Sequence, residues 1–222
     1  IGLLVEYERG WKVTEAMPHT LLGPNSHRDY FAIAFDQQVA LDRLNDFFDK
    51  SISDADIRDR YSLEDNRDWK LAQARRQPRP SEPQPCIYRP FDTRWMLYGG
   101  YAFDYHRPEI NDHMLFANLA LITTKQTKEN FSVFVTNLLA GQHKLATPYD
   151  GSYLSPLYLY PRPSEDLLEA AETEKRPNLS DKFVAALKAA QGRAITPEDT
   201  LAYLYAVLYT PGYRTRYADF LK

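Results

Sequence analysis

Four prolines between residues 78 and 85 set the strongest limit on how this chain can fold. Pro78, Pro80, Pro83 and Pro85 each lack a backbone N–H and hold φ near about −65°, so no helix or central strand continues through them. Helical periodicity dominates before these prolines, whereas short aromatic or β-branched runs dominate after them. The proline stretch is therefore the best candidate for a linker.

The residues before the linker predict one strand followed by helices. Residues Tyr30–Phe35 alternate between large apolar and smaller side chains, which predicts a strand. Asp36 begins a helical pattern, and Ser53 begins a second one in which its hydroxyl caps the first turn. A further helix is predicted over Arg67–Arg76, with Trp69 facing the interior.

The middle of the chain is β-rich and the end is helical. Strands are predicted over Trp95–Tyr98, Leu119–Thr124, Phe131–Thr136 and Tyr153–Tyr160, and a short helix over Pro108–Ala117. Helices are predicted to begin after the capping hydroxyls of Ser180, Thr196 and Thr210. The sequence thus predicts an α+β fold: a helical N-terminal segment at residues 1–77, a β-rich core at 78–162 and a C-terminal helical bundle at 163–222.

The string Tyr88–Trp95 combines two guanidinium groups with three aromatic rings around a proline turn. A guanidinium is planar, always charged and suited to bidentate contacts with phosphate or with guanine. Arg89 and Arg94 are therefore candidate contacts to DNA. The alternative is a structural role for both, with Asp92 or Asp104 as the ion-pair partner.

Charge is distributed unevenly along the chain. The net charge of −3 argues against nucleic acid as a partner, because nucleic-acid-binding domains are often basic. Binding depends on a local patch, however, and not on the average over the surface. Acidic residues concentrate at 36–68 and 164–174, whereas residues 70–107 carry seven Lys or Arg and three acidic residues. This asymmetry is compatible with a basic face.

Cysteine content and hydropathy bear on location. The single cysteine, Cys86, rules out an internal disulfide framework and predicts a reducing, cytoplasmic environment. No apolar run approaches the roughly 20 residues that span a bilayer, so no membrane partner is expected. The start has neither an initiator Met nor a basic flank, which predicts a cut within a longer protein rather than a signal peptide.

Motifs for catalysis are absent from the sequence. A methyltransferase needs a glycine-rich cofactor turn and an Asn/Asp-Pro-Pro-aromatic loop, which Thr147-Pro148-Tyr149 matches only in part. Asp68-Trp69-Lys70 supplies half of a nuclease motif, but on a helical pattern. The histidines and Cys86 show no zinc-ligand spacing, and no serine occupies a nucleophile elbow. We therefore expect no catalytic residue, metal or cofactor in this chain.

Recognition of double-stranded DNA is the chemistry that the polar residues favour. Asn and Gln read adenine, Arg and Lys read guanine, and loops at strand ends present such side chains. The predicted base-reading residues follow strands of the middle segment: Lys125, Gln126, Asn137, His143 and Lys144. The residues predicted nearer phosphate are Arg75, Arg76 and Arg107. For each residue alone, the alternative is a solvated or phosphate-positioning role.

Several strings, taken in order, resemble the C-terminal part of type ISP restriction-modification polypeptides and related helicase-like adenine DNA methylases. The strings are His27–Phe31, Ala34–Asp36, Arg67–Ala72, Tyr88–Trp95, His113–Leu115, Asn118–Gln126, Phe134–Asn137, Tyr153–Pro161 and Ile195–Lys222. The resemblance implies a non-catalytic target recognition domain, in cis with methyltransferase and motor domains. S-adenosylmethionine, ATP and magnesium would then belong to those upstream domains. The resemblance also implies that the shared strings, including Arg89 and Arg94, form scaffold rather than the base-reading surface.

Sequence-specific recognition of double-stranded DNA is thus the predicted function, with residues 78–162 as the recognition core. The alternative is a structural module that couples methyltransferase and motor domains without reading bases. Specific binding to one short duplex favours recognition, whereas contacts to protein domains alone favour coupling.

Overall fold

The computed structural model describes residues 2–125, 127–128, 130–142, 145–146, 151–161 and 174–221. Its helices are α1 (Gly2–Glu8), α2 (Val13–Ala16), α3 (Asp29–Ala32), α4 (Gln37–Phe48), α5 (Asp54–Tyr61), α6 (Leu71–Ala74), α7 (Pro108–Asn111), α8 (Asp181–Gln191), α9 (Pro197–Tyr209) and α10 (Pro211–Arg216), with a 3-10 turn at Asp112–Leu115. Its strands are β1 (Leu21–Leu22), β2 (Ile33–Ala34), β3 (Gln84–Arg89), β4 (Asp92–Met96), β5 (Ala120–Thr123), β6 (Phe134–Thr136), β7 (Leu139–Ala140), β8 (Tyr153–Pro156), β9 (Tyr158–Leu159) and β10 (Arg176–Pro177). The predicted α+β class is confirmed.

The first sheet has the strand order β1-β8-β5-β6, and its neighbouring strands are antiparallel. In the central strand β5, Ala120 lies opposite Thr136 of β6 and opposite Pro156 of β8. All four β5 residues are buried, because both faces of the sheet are covered. Successive side chains point to opposite faces, so Leu121 joins one hydrophobic core and Ile122 joins another.

The second sheet has the order β2-β4-β3-β7, in which β3 is antiparallel to β4 and parallel to β7. Strand β3 begins inside the predicted linker and contains Pro85. Only Cys86 and Ile87 pair with β7, so Pro85 lies outside that ladder and its missing N–H removes none of the β3–β7 hydrogen bonds. A short antiparallel pair, β9 with β10, stands apart from both sheets.

Three hydrophobic cores connect these elements. The first extends from Phe31 to Leu139 and packs α4, α5 and α6 against the second sheet. The second packs α8 and α9, together with Ala16, on the Leu121 face of the first sheet. The third joins Ile122 and Leu154 of the first sheet to Ala140 of β7. The first core therefore crosses residue 78, the predicted boundary between the first two segments.

Four of the predicted helix caps are confirmed, and the one at Thr210 is wrong: α10 begins after Thr210, but the Thr210 hydroxyl donates to the Ala206 carbonyl and does not cap the helix. The Asp36 carboxylate accepts hydrogen bonds from the backbone of Gln38 and Val39 and thereby starts α4. The hydroxyls of Ser53, Ser180 and Thr196 cap α5, α8 and α9 in the same way. Such local signals survive folding because each involves groups only two or three residues apart.

Several predicted elements differ from the structure. The one strand predicted over Tyr153–Tyr160 is divided into β8 and β9, which belong to different sheets, and only Phe134–Thr136 of the run predicted over Phe131–Thr136 forms a strand, β6. In two other elements, polar side chains hold the backbone in another conformation. Residues Tyr30–Phe35 form the helical turn α3 followed by β2, and the Arg43 guanidinium donates to the carbonyls of Phe31 and Ile33 at 3.0 and 2.9 Å. The helix predicted over Arg67–Arg76 is only α6. Before it, the Asn66 side chain accepts from the backbone of Asp68 and Trp69, which forms a turn instead of a helix.

Candidate nucleic-acid interface

Strand pairing in the first sheet separates two of the predicted base-reading residues. Lys125 follows the C-terminal end of β5, and Asn137 follows the C-terminal end of β6. Because β5 and β6 are antiparallel, these two residues lie at opposite ends of the sheet. The β5 residues Ala120 and Thr123 mark these ends and lie about 10 Å apart at 3.4 Å per residue. We name the two ends the Lys125 end and the Asn137 end.

Lys125 is exposed and is positioned by an aromatic ring. Its Nζ lies 4.4 Å from the centroid of the Tyr153 ring, and Tyr153 pairs with Thr123 at the last position of β5. A cation over an aromatic face is attracted by the ring quadrupole, so Tyr153 limits the positions that the ammonium group samples. No pattern in the sequence pointed to Tyr153, which lies 28 residues further along the chain.

The connections near the Lys125 end are tied together by their backbones. Gln142 N donates to Pro24 O at 2.9 Å, Ser152 N donates to Gln142 O at 2.6 Å, and Gly23 N donates to Ser152 O at 3.1 Å. A Cβ atom on Gly23 would lie 2.6 Å from the carbonyl carbon of Gly141, so this approach requires glycine. The described parts of these connections are thus held against β1 and β8.

A further segment reaches the same region through Asn25. Asn25 and Tyr105 form an isolated antiparallel bridge, with backbone hydrogen bonds of 2.9 and 3.2 Å in the two directions. Two residues later, Arg107 caps α7 at φ 51° and places its guanidinium 5.2 Å from the Tyr105 ring centroid. Arg107 is half-buried, and its Nε is buried and has no hydrogen-bond partner among the residues that the structure describes. The predicted phosphate contact Arg107 therefore lies on a segment that is anchored beside Asn25.

His27, two residues after Asn25, belongs to a polar network that sequence reasoning missed. Its Nδ1 lies 2.5 Å from Oδ2 of Asp104, a carboxylate with a side-chain exposure of only 1%. Asp104 Oδ1 lies 2.6 Å from the buried Arg28 guanidinium, and Asn66 donates to Oδ2 at 2.9 Å. The Arg28 guanidinium also stacks 3.9 Å from the Trp69 ring. No spacing rule signals this network, because 77 residues separate His27 from Asp104.

The hydrogen bonds around Asp104 determine its charge. Burial raises the pKa of Asp104, but the hydrogen bonds from His27, Arg28 and Asn66 outweigh burial and leave the pKa below its ordinary value. The carboxylate is therefore ionised at neutral pH, and the Arg28 guanidinium compensates its charge.

Arg94 has the structural role that the sequence left open as an alternative. Its guanidinium donates to both carboxylate oxygens of Asp92 at 2.8–3.1 Å. The same group lies between the rings of Phe35 and Tyr88, at 3.7 and 4.1 Å from their centroids. Arg89 stacks on the same Tyr88 ring at 3.7 Å and donates to the Tyr88 carbonyl. Arg94 is thus held within the second sheet.

Arg75 and Arg76 are adjacent in sequence but differ in environment. Arg75 is 5% exposed, and its guanidinium donates to the carbonyls of Phe47, Asp49 and Ile52 and to the Asp54 carboxylate. A guanidinium with these partners is not accessible to a phosphate, which corrects the predicted role of Arg75. Arg76 is exposed.

The remaining predicted site residues are Gln126, Asn137, His143 and Lys144. Asn137 is exposed at its own end of the sheet. Gln126, His143 and Lys144 lie outside the described residues. In sequence, Gln126 follows Lys125 directly, and His143 and Lys144 follow Gln142.

At the Lys125 end, the exposed Lys125 and the half-buried Arg107 lie on loops that are tied to the first sheet, as recognition residues often do. The sequence profile described as the Type ISP C-terminal specificity domain matches residues 15–222, and this chain belongs to that family. It is thus a target recognition domain of the restriction-modification type, which confirms the function predicted from the sequence. Comparison with curated proteins gives no significant match.

Solved structures share the fold. A cryo-EM structure of a DrdV–DNA complex matches 91% of this chain with a TM-score of 0.67 and 22% identity. The ATP-dependent Type ISP restriction-modification enzyme LlaBIII bound to DNA matches 96% with a TM-score of 0.64 and 20% identity. A nuclease-deletion mutant of the Type ISP enzyme LlaGI with a DNA substrate mimic matches 96% with a TM-score of 0.59 and 16% identity. The chain spans 20%, 14% and 20% of these three chains, respectively.

One structural finding bears on membranes. Within the described ranges, no helix combines the length and the apolar character needed to cross a bilayer.

Proposed function

We propose that this chain contacts double-stranded DNA with the Lys125 end of its first sheet and selects the sequence there. One chain of contacts carries the placement. Lys125 lies over the Tyr153 ring, Tyr153 pairs with Leu22 of β1, and the Gly23–Asn25 segment that follows β1 is bridged through Asn25 to Tyr105. Membership in a family of specificity domains supports a reading role for such a surface. The three similar structures are DNA complexes by their descriptions, which also supports DNA as the partner.

Within this surface we assign roles by exposure and sequence position. Among the residues that the structure describes, Lys125 is the candidate for a base contact. Gln126, His143 and Lys144 are proposed as further base contacts, because Gln126 follows Lys125 in sequence and His143 and Lys144 follow Gln142. Arg107 is proposed as a phosphate contact, and the exposed Arg76 as a more peripheral one. Arg89 is half-buried against Tyr88 and is proposed only as a peripheral contact to DNA, outside the base-reading surface.

We also infer which domains accompany this chain in the intact enzyme. They are an adenine-specific methyltransferase and a translocating motor on the same polypeptide, which would bind S-adenosylmethionine, ATP and magnesium. The recognition domain itself would contribute binding but no chemical step. A cytoplasmic location follows from a partner that is genomic or invading DNA.

The test compares the two ends of the first sheet. Lys125→Ala and Gln126→Ala in the full-length enzyme are expected to change which sites become methylated, with a loss of about 1–3 kcal/mol at one base pair. Asn137→Ala is the matched control, because it removes an exposed polar side chain at the opposite end. Wild-type site choice by both variants, or altered choice only by Asn137→Ala, would refute the placement.

A second candidate function is coupling between protein domains, and one feature favours it. Helix α1 has no buried residue and exposes Leu3, Leu4 and Val5 at 38–42%. Exposed apolar side chains on one helix are typical of a contact with another protein surface. If coupling alone were the function, Lys125→Ala in the full-length enzyme would leave the choice of site unchanged. Polar substitutions in α1 would instead impair the activity of the full-length enzyme.

A further inference from the structure

His27 has an unusual backbone conformation for an exposed residue. Its φ is 52°, in the left-handed region that side chains with a Cβ rarely adopt, and its imidazole is 53% exposed. Such a conformation persists only when the surroundings hold the residue in place, and it is common at binding sites. Here the Asp104 carboxylate provides the anchor through Nδ1.

The anchor sets the direction of the imidazole. Since Asp104 accepts a hydrogen bond from Nδ1–H, the second ring nitrogen, Nε2, points away from the buried carboxylate. Nε2 lies 2.9 Å from the side-chain nitrogen of Asn25. In the neutral ring, Nε2 accepts a hydrogen bond from this amide group.

Protonation of the ring changes this pair. Both ring nitrogens of an imidazolium are donors. In the present orientation of the Asn25 amide, whose Oδ1 accepts from the His27 backbone N–H at 3.4 Å, Nε2–H and the amide N–H would face each other. An oxygen of an anionic group beside the pair can accept from both. A phosphate diester supplies such oxygens, and hydrogen bonds between charged groups are the stronger ones.

The surrounding charges favour an anion at this position. Asp104 and Arg28 compensate each other, so an imidazolium at His27 adds a net positive charge to the network. On the bridged segment, Tyr105 donates to Asp68, whose carboxylate also lies 3.8 Å from Arg67. Arg107 then adds a guanidinium beside the Tyr105 ring. Asp29, two residues after His27, adds a carboxylate that accepts from the Ser26 and Tyr88 hydroxyls. With the imidazole protonated, the four cations of this set outnumber its three carboxylates by one.

We propose that His27, together with Asn25, forms a contact to a backbone phosphate of the DNA duplex, with Asp104 as the residue that positions the imidazole. The inference rests on the proposed function, because it places His27 at the edge of the Lys125 end. It adds a sequence-independent contact that strengthens as the imidazole becomes protonated. It assigns Asn25 and His27 to binding rather than to base selection.

The test uses His27→Asn in the full-length enzyme. Asn tolerates positive φ and can donate to Asp104 as Nδ1 does, but it carries neither Nε2 nor a charge. His19→Asn is the matched control, since His19 bonds the Glu109 carbonyl beyond the N-terminal end of β1. Duplex affinity is measured against salt concentration at about pH 6 and about pH 8, on either side of the ordinary histidine pKa.

At about pH 6 we expect His27→Asn to bind about tenfold more weakly than wild type, with a salt dependence smaller by about one unit of slope. At about pH 8 we expect a smaller difference between the two proteins, because proton loss from an imidazole becomes more favourable as the pH rises. His19→Asn should follow wild type at both pH values. A His27→Asn enzyme with wild-type affinity and slope at both pH values refutes the inference.

The two proposals fail in distinguishable ways. If His27→Asn has no effect while Lys125→Ala alters site choice, the DNA face is correctly placed and His27 is not part of it. If neither substitution has an effect, the placement of DNA at the Lys125 end is wrong. If His27→Asn weakens binding equally at both pH values and leaves the salt slope unchanged, His27 has a structural role only.

Discussion

Replacement of Arg75 is expected to destabilise the fold rather than to weaken DNA binding alone. Strand and helix ends leave carbonyl groups without partners, and here the Arg75 guanidinium donates to Phe47 O, Asp49 O and Ile52 O at 2.8, 2.5 and 2.9 Å. Two of these carbonyls lie at the C-terminal end of α4, where a cation also interacts favourably with the helix dipole. Arg75→Met keeps an apolar stem of similar length but removes every donor.

The magnitude follows from the number of carbonyls that lose their donor. Each hydrogen bond of this kind contributes about 1 kcal/mol net, and an unsatisfied buried carbonyl costs about 1–3 kcal/mol. The ion pair with Asp54 adds little, because the Asp54 side chain is 52% exposed. The bond to the Phe47 carbonyl is buried and counts for about 1–3 kcal/mol, and the half-buried bonds to Asp49 and Ile52 count for about 1 kcal/mol each. Together they predict a loss of about 3–5 kcal/mol in the free energy of unfolding.

The assay is equilibrium urea unfolding, with Arg76→Met as the matched control. Arg76 is the neighbouring residue and is exposed, so its replacement should change stability by less than about 0.5 kcal/mol. For Arg75→Met, the loss corresponds to a midpoint lower by roughly 1 M urea. The reasoning is refuted if Arg75→Met unfolds at the wild-type urea midpoint. If the DNA affinity of that variant also depended less steeply on salt concentration than the wild-type affinity, Arg75 would again be a candidate phosphate contact.

Two further predictions concern stability. Gly23→Ala should lower the free energy of unfolding by about 1–3 kcal/mol, because its Cβ would meet backbone atoms of Gly141 and Gln142. Gly212→Ala in α10 should leave the urea midpoint unchanged or slightly raised, because the nearest atom to its Cβ, Cγ2 of Thr210, is 3.9 Å away. Equal losses in the two variants would contradict the packing argument. Because the pKa of Asp104 is lowered in the folded state, its carboxylate contributes stability above the ordinary Asp pKa of about 4, and this contribution is lost as the pH falls through the lower folded pKa. In urea unfolding, the free energy of unfolding of wild type should exceed that of Asp104→Asn at about pH 6, and this difference should shrink below about pH 4. A difference that stays constant with pH would show that the shape of Asp104, and not its charge, stabilises the fold.

Local patterns in the sequence predicted much of the secondary structure. The helices that begin after Asp36, Ser53, Ser180 and Thr196 are present where their capping residues indicate. These predictions succeed because a cap and the backbone groups that it satisfies are separated by only two or three residues. The runs that became β5 and β8 were also recognisable, since they combine β-branched and aromatic side chains.

Long-range polar contacts explain where local patterns failed. The run at Tyr30–Phe35 has the alternation of a strand, but its first residues form a helical turn, and the Arg43 guanidinium donates to the carbonyls of Phe31 and Ile33. In the sequence, Arg75 and Arg76 look like two equivalent cations, yet Arg75 is buried. Neither outcome follows from neighbouring residues, because the partners lie 10 or more positions away in sequence.

The sequence by itself determined the α+β class, the capped helices and the family, because these depend on short patterns and on the order of strings along the chain. Only the tertiary structure decided which polar residues share a surface. The antiparallel pairing of β5 with β6 placed Lys125 and Asn137 at opposite ends of one sheet, although both follow predicted strands. The same folding brought His27 to Asp104 and buried Arg75, since hydrogen-bond partners are selected by distance in space and not by distance along the chain.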